Sequence, residues 1–185
     1  MRRAPFSPRV AVGREQHTFA HHVATRYSDL ADQVLFTALP ISSHCCYYSN
    51  QTDRRQTLLQ GLESPRTFTC NCMHGYTRVA CSSAEAAQVQ NLSSFQIPLP
   101  YISRYTLAVP RGLGAWAAKF LGVNVRDSRG SACFEGAAST TRTLIHRRPQ
   151  QVYARISAAL SNSSNPEAGH YTERLMRVVY GAGTV

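Results

Sequence analysis

The stretch "GREQHTFAHHVATRYSDLADQVLF", Gly13 to Phe36, decides the fold class. Phe19, Val23, Tyr27 and Leu30 recur at spacings of three and four with polar residues between them, the pattern of an amphipathic helix. A helix is expected from Gly13 to about Ser28. Val34 to Phe36 then form a short apolar run that Pro40 ends, and this reads as a buried strand. A helix running straight into a buried strand is an α/β signal.

Working outward, residues 1–11 read as an extended lead-in holding two prolines, Pro5 and Pro8. Residues 12–181 are expected to form one α/β domain. Within it, 41–98 is rich in Ser, Thr, Asn, Gln and Cys and has little periodicity. It is expected as an irregular insertion, with a short helix near "SAEAAQVQNL" as its one regular feature. Tyr105, Leu107 and Val109 alternate with Thr106 and Ala108 as a strand would. Leu113, Trp116, Ala117, Phe120 and Leu121 share one face of a following helix, and "SACF" suits another short strand. From Pro149, Val152, Tyr153, Ile156 and Leu160 make one helical stripe, with proline at the first helical position. The last helix is expected to start with Asn165 as N-cap, Pro166 at its first position and Glu167 at the positive end of its dipole. Tyr171, Leu175, Val178 and Val179 form its apolar face and Gly181 stops it.

A formal net charge of +10 points to acidic partners. Lys119 is the single lysine, and arginine grips phosphate through two parallel N–H groups. Codon usage in a GC-rich genome is the plainer account of the arginine excess. The arginines are spread along the chain without a dense run, which argues against a nucleic-acid arm. No stretch approaches the ~20 apolar residues of a membrane span. The N-terminal residues lack the apolar core of a secretory signal. Cys45, Cys46, Cys70, Cys72, Cys81 and Cys133, with sequons at Asn50, Asn91 and Asn162, would suit a lumenal protein. Cytoplasm and Golgi lumen both stay open, as does the oligomeric state.

Four constellations could carry chemistry. His17 and His21 are four apart on the first helix and could share a metal ion. A zincin needs glutamate beside the first histidine, and Thr18 stands there instead. His22 falls beside the apolar stripe and is expected to be packed. Gly13, Arg14 and Glu15 sit at a helix start, where free N–H groups and a guanidinium can hold phosphate; by themselves they read more plainly as first-turn surface residues. His44, Cys45, Cys46, Cys70, Cys72, His74 and Cys81 lack zinc-ribbon spacing, because Cys70 and Cys72 are one residue too close. Disulfides or free thiols are the better expectation. On the last helix, Glu167 and His170 are three apart, a spacing used by metal-carboxylate helices, and Glu173 follows at the same interval. A capped helix with solvated charges is the plainer alternative.

Two of these regions together resemble a family. "VGREQHTFAHHVATRYSDLADQVLF" resembles the Gly-Arg-Glu, His-Thr-aromatic and Tyr-x-x-Leu signature of domain-of-unknown-function family 3431. "HRRPQQVYARISAALSNSSNPEAGHYTERLMRVVYG" resembles that family's C-terminal part, where an Asn-Pro-Glu-x-Gly-His-aromatic-x-Glu-Arg helix closes the domain. Family members look like nucleotide-sugar glycosyltransferases. The resemblance implies a glycosyltransferase-like three-layer α/β sandwich with a sugar-nucleotide site at the strand ends. It implies that Gly13, Arg14, Glu15 and His17 border the substrate pocket, that His170 and Glu173 supply acid/base groups, and that Glu167 and His170 contact a divalent ion, Mn or Mg. Departures are visible. Ala11 replaces the family asparagine and Ala38-Leu39 replaces Gln-Gly. The strand and acidic loop that precede Gly-Arg-Glu in the family are missing, so an N-terminally truncated, incomplete sandwich is expected, with activity reduced or lost. Asp29, Asp32, Asp53 and Asp127 are the only aspartates, and none forms Asp-x-Asp. A non-enzymatic basic module for acidic glycans or phosphates is the competing expectation.

Overall fold

Gly13 opens the first helix, α1 (Arg14–Arg26), from the left-handed region, at φ 67°. Glycine suits this position twice over. Its lack of a Cβ permits the positive φ, and it lets the helix start press against another chain segment. Its N–H donates to Ser163 O at 2.6 Å. A Cβ on Gly13 would stand 2.5 Å from Leu160 O and 2.3 Å from His17 Cβ. α1 buries Gln16, Phe19, Ala20 and Val23. A 3₁₀ turn, Tyr27–Asp29, leads past buried Leu30 into strand β1 (Gln33–Phe36). Val34 and Phe36 point inward while Leu35 is 41 % exposed, the alternation of a one-sided strand. Helix into strand is therefore as the opening stretch implies.

The computed structural model describes residues 13–36, 69–70, 92–125, 138–164 and 166–181. The expected strand at "SACF", the cap at Asn165 and nearly all of the 41–91 stretch lie outside them. Two further strands, β2 (Thr69–Cys70) and β3 (Ala138–Thr141), join β1 in the order β1-β3-β2. All pairing is antiparallel, with Val34 opposite Thr140 and Thr69 opposite Ser139. The helices that follow are α2 (Leu113–Leu121), α3 (Arg142–Ile145), α4 (Gln150–Leu160), α5 (Glu167–Arg174) and α6 (Met176–Tyr180). The described residues are thus mostly helical with one small antiparallel sheet, mixed α/β at most, and no three-layer sandwich is seen among them.

The apolar stripes read from the sequence are the core. Val152, Tyr153, Ile156 and Leu160 of α4 are buried, as are Leu113, Trp116, Ala117 and Leu121 of α2. Tyr171, Leu175, Val178 and Val179 are buried too, although the helix breaks at Leu175 and restarts as α6. An aromatic line ties sheet to helices: Phe36 to Tyr180 at 4.7 Å, and Tyr180 stacked on Tyr153 at 5.8 Å.

Three expectations change. Tyr105–Val109 is not a strand; it makes a single bridge, Thr106 to Pro166. Its polar groups are taken by the start of α5. Glu167 N–H donates to Thr106 O at 2.8 Å and Ala108 N–H donates to the Glu167 carboxylate at 3.2 Å. Pro149 and Pro166 each sit one place earlier than expected, as extended N-caps with ψ 148° and 139°. His22 is exposed rather than packed, because the buried stripe of α1 runs through Phe19, Ala20 and Val23.

The junction of α1 with the end of α4 yields a prediction. Gly13→Ala must adopt a strained φ and displace a backbone carbonyl, so it should destabilise the fold by at least about 2 kcal/mol in urea denaturation. A change within about 0.5 kcal/mol, the range of neutral surface substitutions, would show that this junction is not rigid.

Candidate active site

The start of α1 meets the first two turns of α5. A Cβ on Gly169 would lie 3.8 Å from Gly13 O. The Gly13–Arg14 and Glu167–Glu173 segments, far apart in the chain, are therefore neighbours in space. Arg14 follows Gly13 and also has positive φ, 56°. For a residue with a side chain this is uncommon and costs of order 1 kcal/mol. From there Arg14 Nη1 donates to His170 Nε2 at 2.9 Å across 156 residues.

Behind His170 lies Glu173. Its Oε2 is 3.7 Å from His170 Nδ1 and 3.6 Å from Arg174 Nη1. The first distance exceeds a direct hydrogen bond but keeps the carboxylate against the ring nitrogen. Burial pushes the Glu173 carboxyl up, and the facing His170 ring with the Arg174 and Arg14 guanidinium groups more than offsets it. The net effect holds Glu173 below the ordinary glutamate value. Arg174 is itself fixed, donating to His170 O at 3.1 Å with its guanidinium 3.9 Å from the Phe95 ring centre. Tyr105 meets the His170 ring edge-on at 5.1 Å.

Of the residues expected to border a pocket, Gly13 and Arg14 join this cluster. Glu15 lies beside Arg14, its carboxylate 3.6 Å from Nε. His17 stacks on His21 with ring centres 5.8 Å apart. Glu167 goes elsewhere. It is fully buried, and its carboxylate accepts from Ile97 N–H at 2.9 Å, Ala108 N–H at 3.2 Å and Arg111 Nε–H at 3.2 Å. The structure does not bring Glu167 and His170 to a shared point. One carboxylate is turned into the core and the imidazole faces Arg14. Their donor sets do not fit one divalent ion, and no group of three or more His, Cys, Asp or Glu placed to hold a metal occurs among the described residues. No helix among the described residues is long and apolar enough to cross a membrane.

Sequence reasoning missed Arg111, Tyr105 and Arg174. Arg174 had a signal, being adjacent to Glu173 and one turn after His170. Arg111 follows a cis Val109–Pro110 bond and reaches Glu167 only through tertiary folding. Nothing local marks it.

Two outcomes follow. Glu167→Ala leaves Arg111 and two backbone donors facing an apolar gap, so it should destabilise the fold by about 3 kcal/mol in urea denaturation; a loss under about 1 kcal/mol would mean that water replaces the carboxylate. Because the folded-state pKa of Glu173 is depressed, its contribution is fully present above the ordinary value of 4.5 and is lost as pH falls through the lower folded value. The stability gap between wild type and Glu173→Gln should therefore shrink on acidification below 4.5; a gap that stays constant with pH would contradict this. No family model, curated protein or solved structure matches the chain, so the functional reading rests on these residues.

Proposed function

We propose that this chain is a glycosyltransferase-like domain that takes a nucleotide sugar at the Arg14–His170 cluster. Arg14 contacts the diphosphate, His170 is the acid/base group, and Glu173 stands behind it as a positioning residue. The carrying observation is the 2.9 Å contact between Arg14 and His170. It joins two segments that share a family resemblance, and it is made by a residue held at φ 56°. Backbone strain of this kind concentrates where a side chain must be aimed. A guanidinium beside an imidazole offers a charged donor fork for phosphate and a base for a hydroxyl. The proposed fold of the whole domain is a three-layer α/β sandwich. No step is assigned to a metal ion, since Glu167 is engaged in the core.

The net charge of +10 favours a second reading, a non-enzymatic module holding acidic glycans or phosphates on the same arginine. Thermal unfolding separates the two. A nucleotide site should be stabilised by UDP- or GDP-sugars, with or without Mn²⁺, by about 2.7 kcal/mol at a hundred times Kd. Arg14→Ala and His170→Ala should each remove that stabilisation. Stabilisation by heparin with none from either nucleotide sugar would establish the binding module instead.

A further inference from the structure

The Arg14–His170 pair has a polarity of its own. A guanidinium carries five N–H donors and no acceptor. His170 Nε2, 2.9 Å from Arg14 Nη1, must therefore offer its lone pair. The neutral ring then carries its proton on Nδ1. That nitrogen faces the Glu173 carboxylate at 3.7 Å, and a carboxylate only accepts, so its charge favours the proton on that side. Tyr105 limits the ring from its edge, 5.1 Å away. Access is graded as well. The Arg14 side chain is 39 % exposed and the His170 side chain 14 %, so a ligand meets the guanidinium first.

We infer that the pair selects organic phosphates that bear a hydroxyl close to the phosphate, with sugar and polyol phosphates as the ligand class. The phosphate draws the guanidinium to itself, and the neighbouring hydroxyl donates to the Nε2 that Arg14 vacates. Donor and acceptor are exchanged for partners of the same polarity, so no buried group is left unpaired. An anion without a hydroxyl would take Arg14 and leave Nε2 without a donor. Glu173 acts through His170 by fixing the tautomer. The inference rests on the phosphate-binding reading above and specifies what the phosphate must carry.

The test uses the full chain and two ligands with the same charged group. Methyl phosphate has no free hydroxyl; glycerol 3-phosphate has two. In the ligand-free protein, long-range ¹H–¹⁵N NMR should show His170, assigned with His170→Gln, as the Nδ1–H tautomer. Glycerol 3-phosphate should bind about 3- to 10-fold more tightly than methyl phosphate, the size of one net hydrogen bond. Glu173→Ala should bring that ratio to about one, and so should Glu173→Gln, which keeps the side chain's shape but removes the charge facing Nδ1. The Nε2–H tautomer, or equal affinities in the wild type, would overturn the inference while leaving phosphate binding intact. Failure of both ligands to bind would overturn it together with the proposed function. If Glu173→Ala does not fold, the wild-type tautomer and affinity ratio still decide.

Discussion

The buried carboxylate of Glu167 is the constraint on which the site depends. A charge taken wholly out of water is unfavourable unless every lone pair is used. Here Ile97, Ala108 and Arg111 supply the donors, while Arg111 also donates to Ile97 O at 2.8 Å. The segment from Ile97 to Gly112 is drawn onto the start of α5, and Tyr171 adds to the clasp by accepting from Gly112 N–H at 3.1 Å. A helix pinned at its first residue has little freedom to rotate about its axis. His170 and Glu173, one and two turns further on, inherit that fixed direction. A residue that resembled a metal ligand by spacing instead sets the orientation of the helix that presents His170 to Arg14.

The other half of the site is aimed by backbone geometry. Gly13 brings α1 against the end of α4 because it has no Cβ. Arg14, the first residue of α1, continues the left-handed turn at φ 56°. The strain is tolerated because both neighbours are fixed, Gly13 by Ser163 O and the helix by its buried face. Two independent anchors, one a buried ion pair and one a glycine contact, therefore converge on a single hydrogen bond between Arg14 and His170.

What could be read from the sequence follows the range of the forces involved. Periodic burial is local, so the stripes at Phe19 and Val23, at Val152 to Leu160 and at Tyr171 to Val179 were legible. The strand at Val34 to Phe36 was legible for the same reason. β3 was not, since "ASTT" has neither apolar alternation nor a turn signal, and its burial on all four residues comes from the elements around it. Tyr105 to Val109 alternates like a strand, yet its hydrogen bonds go to a helix terminus more than fifty residues away in sequence. Spacing alone suggested that Glu167 and His170 work together. Side-chain spacing on a helix fixes which residues can share a face, not what that face meets. The pairing of Arg14 with His170 spans 156 residues, and no local signal in the sequence marks it.

The charge pattern around His170 decides what the cluster can be asked to do. Two guanidinium groups, from Arg14 and Arg174, face two carboxylates, Glu15 beside Arg14 and Glu173 beside Arg174, so the cluster carries no excess charge when both acids are ionised. An incoming anion therefore competes with Glu15 for the Arg14 guanidinium. Arg174 is held in place by His170 O and Phe95, whereas Arg14 is bonded to a side chain that can accept another donor. The two arginines therefore divide the work. Arg174 keeps Glu173 charged and still, and Arg14 is the group that an incoming anion can recruit without dismantling the core.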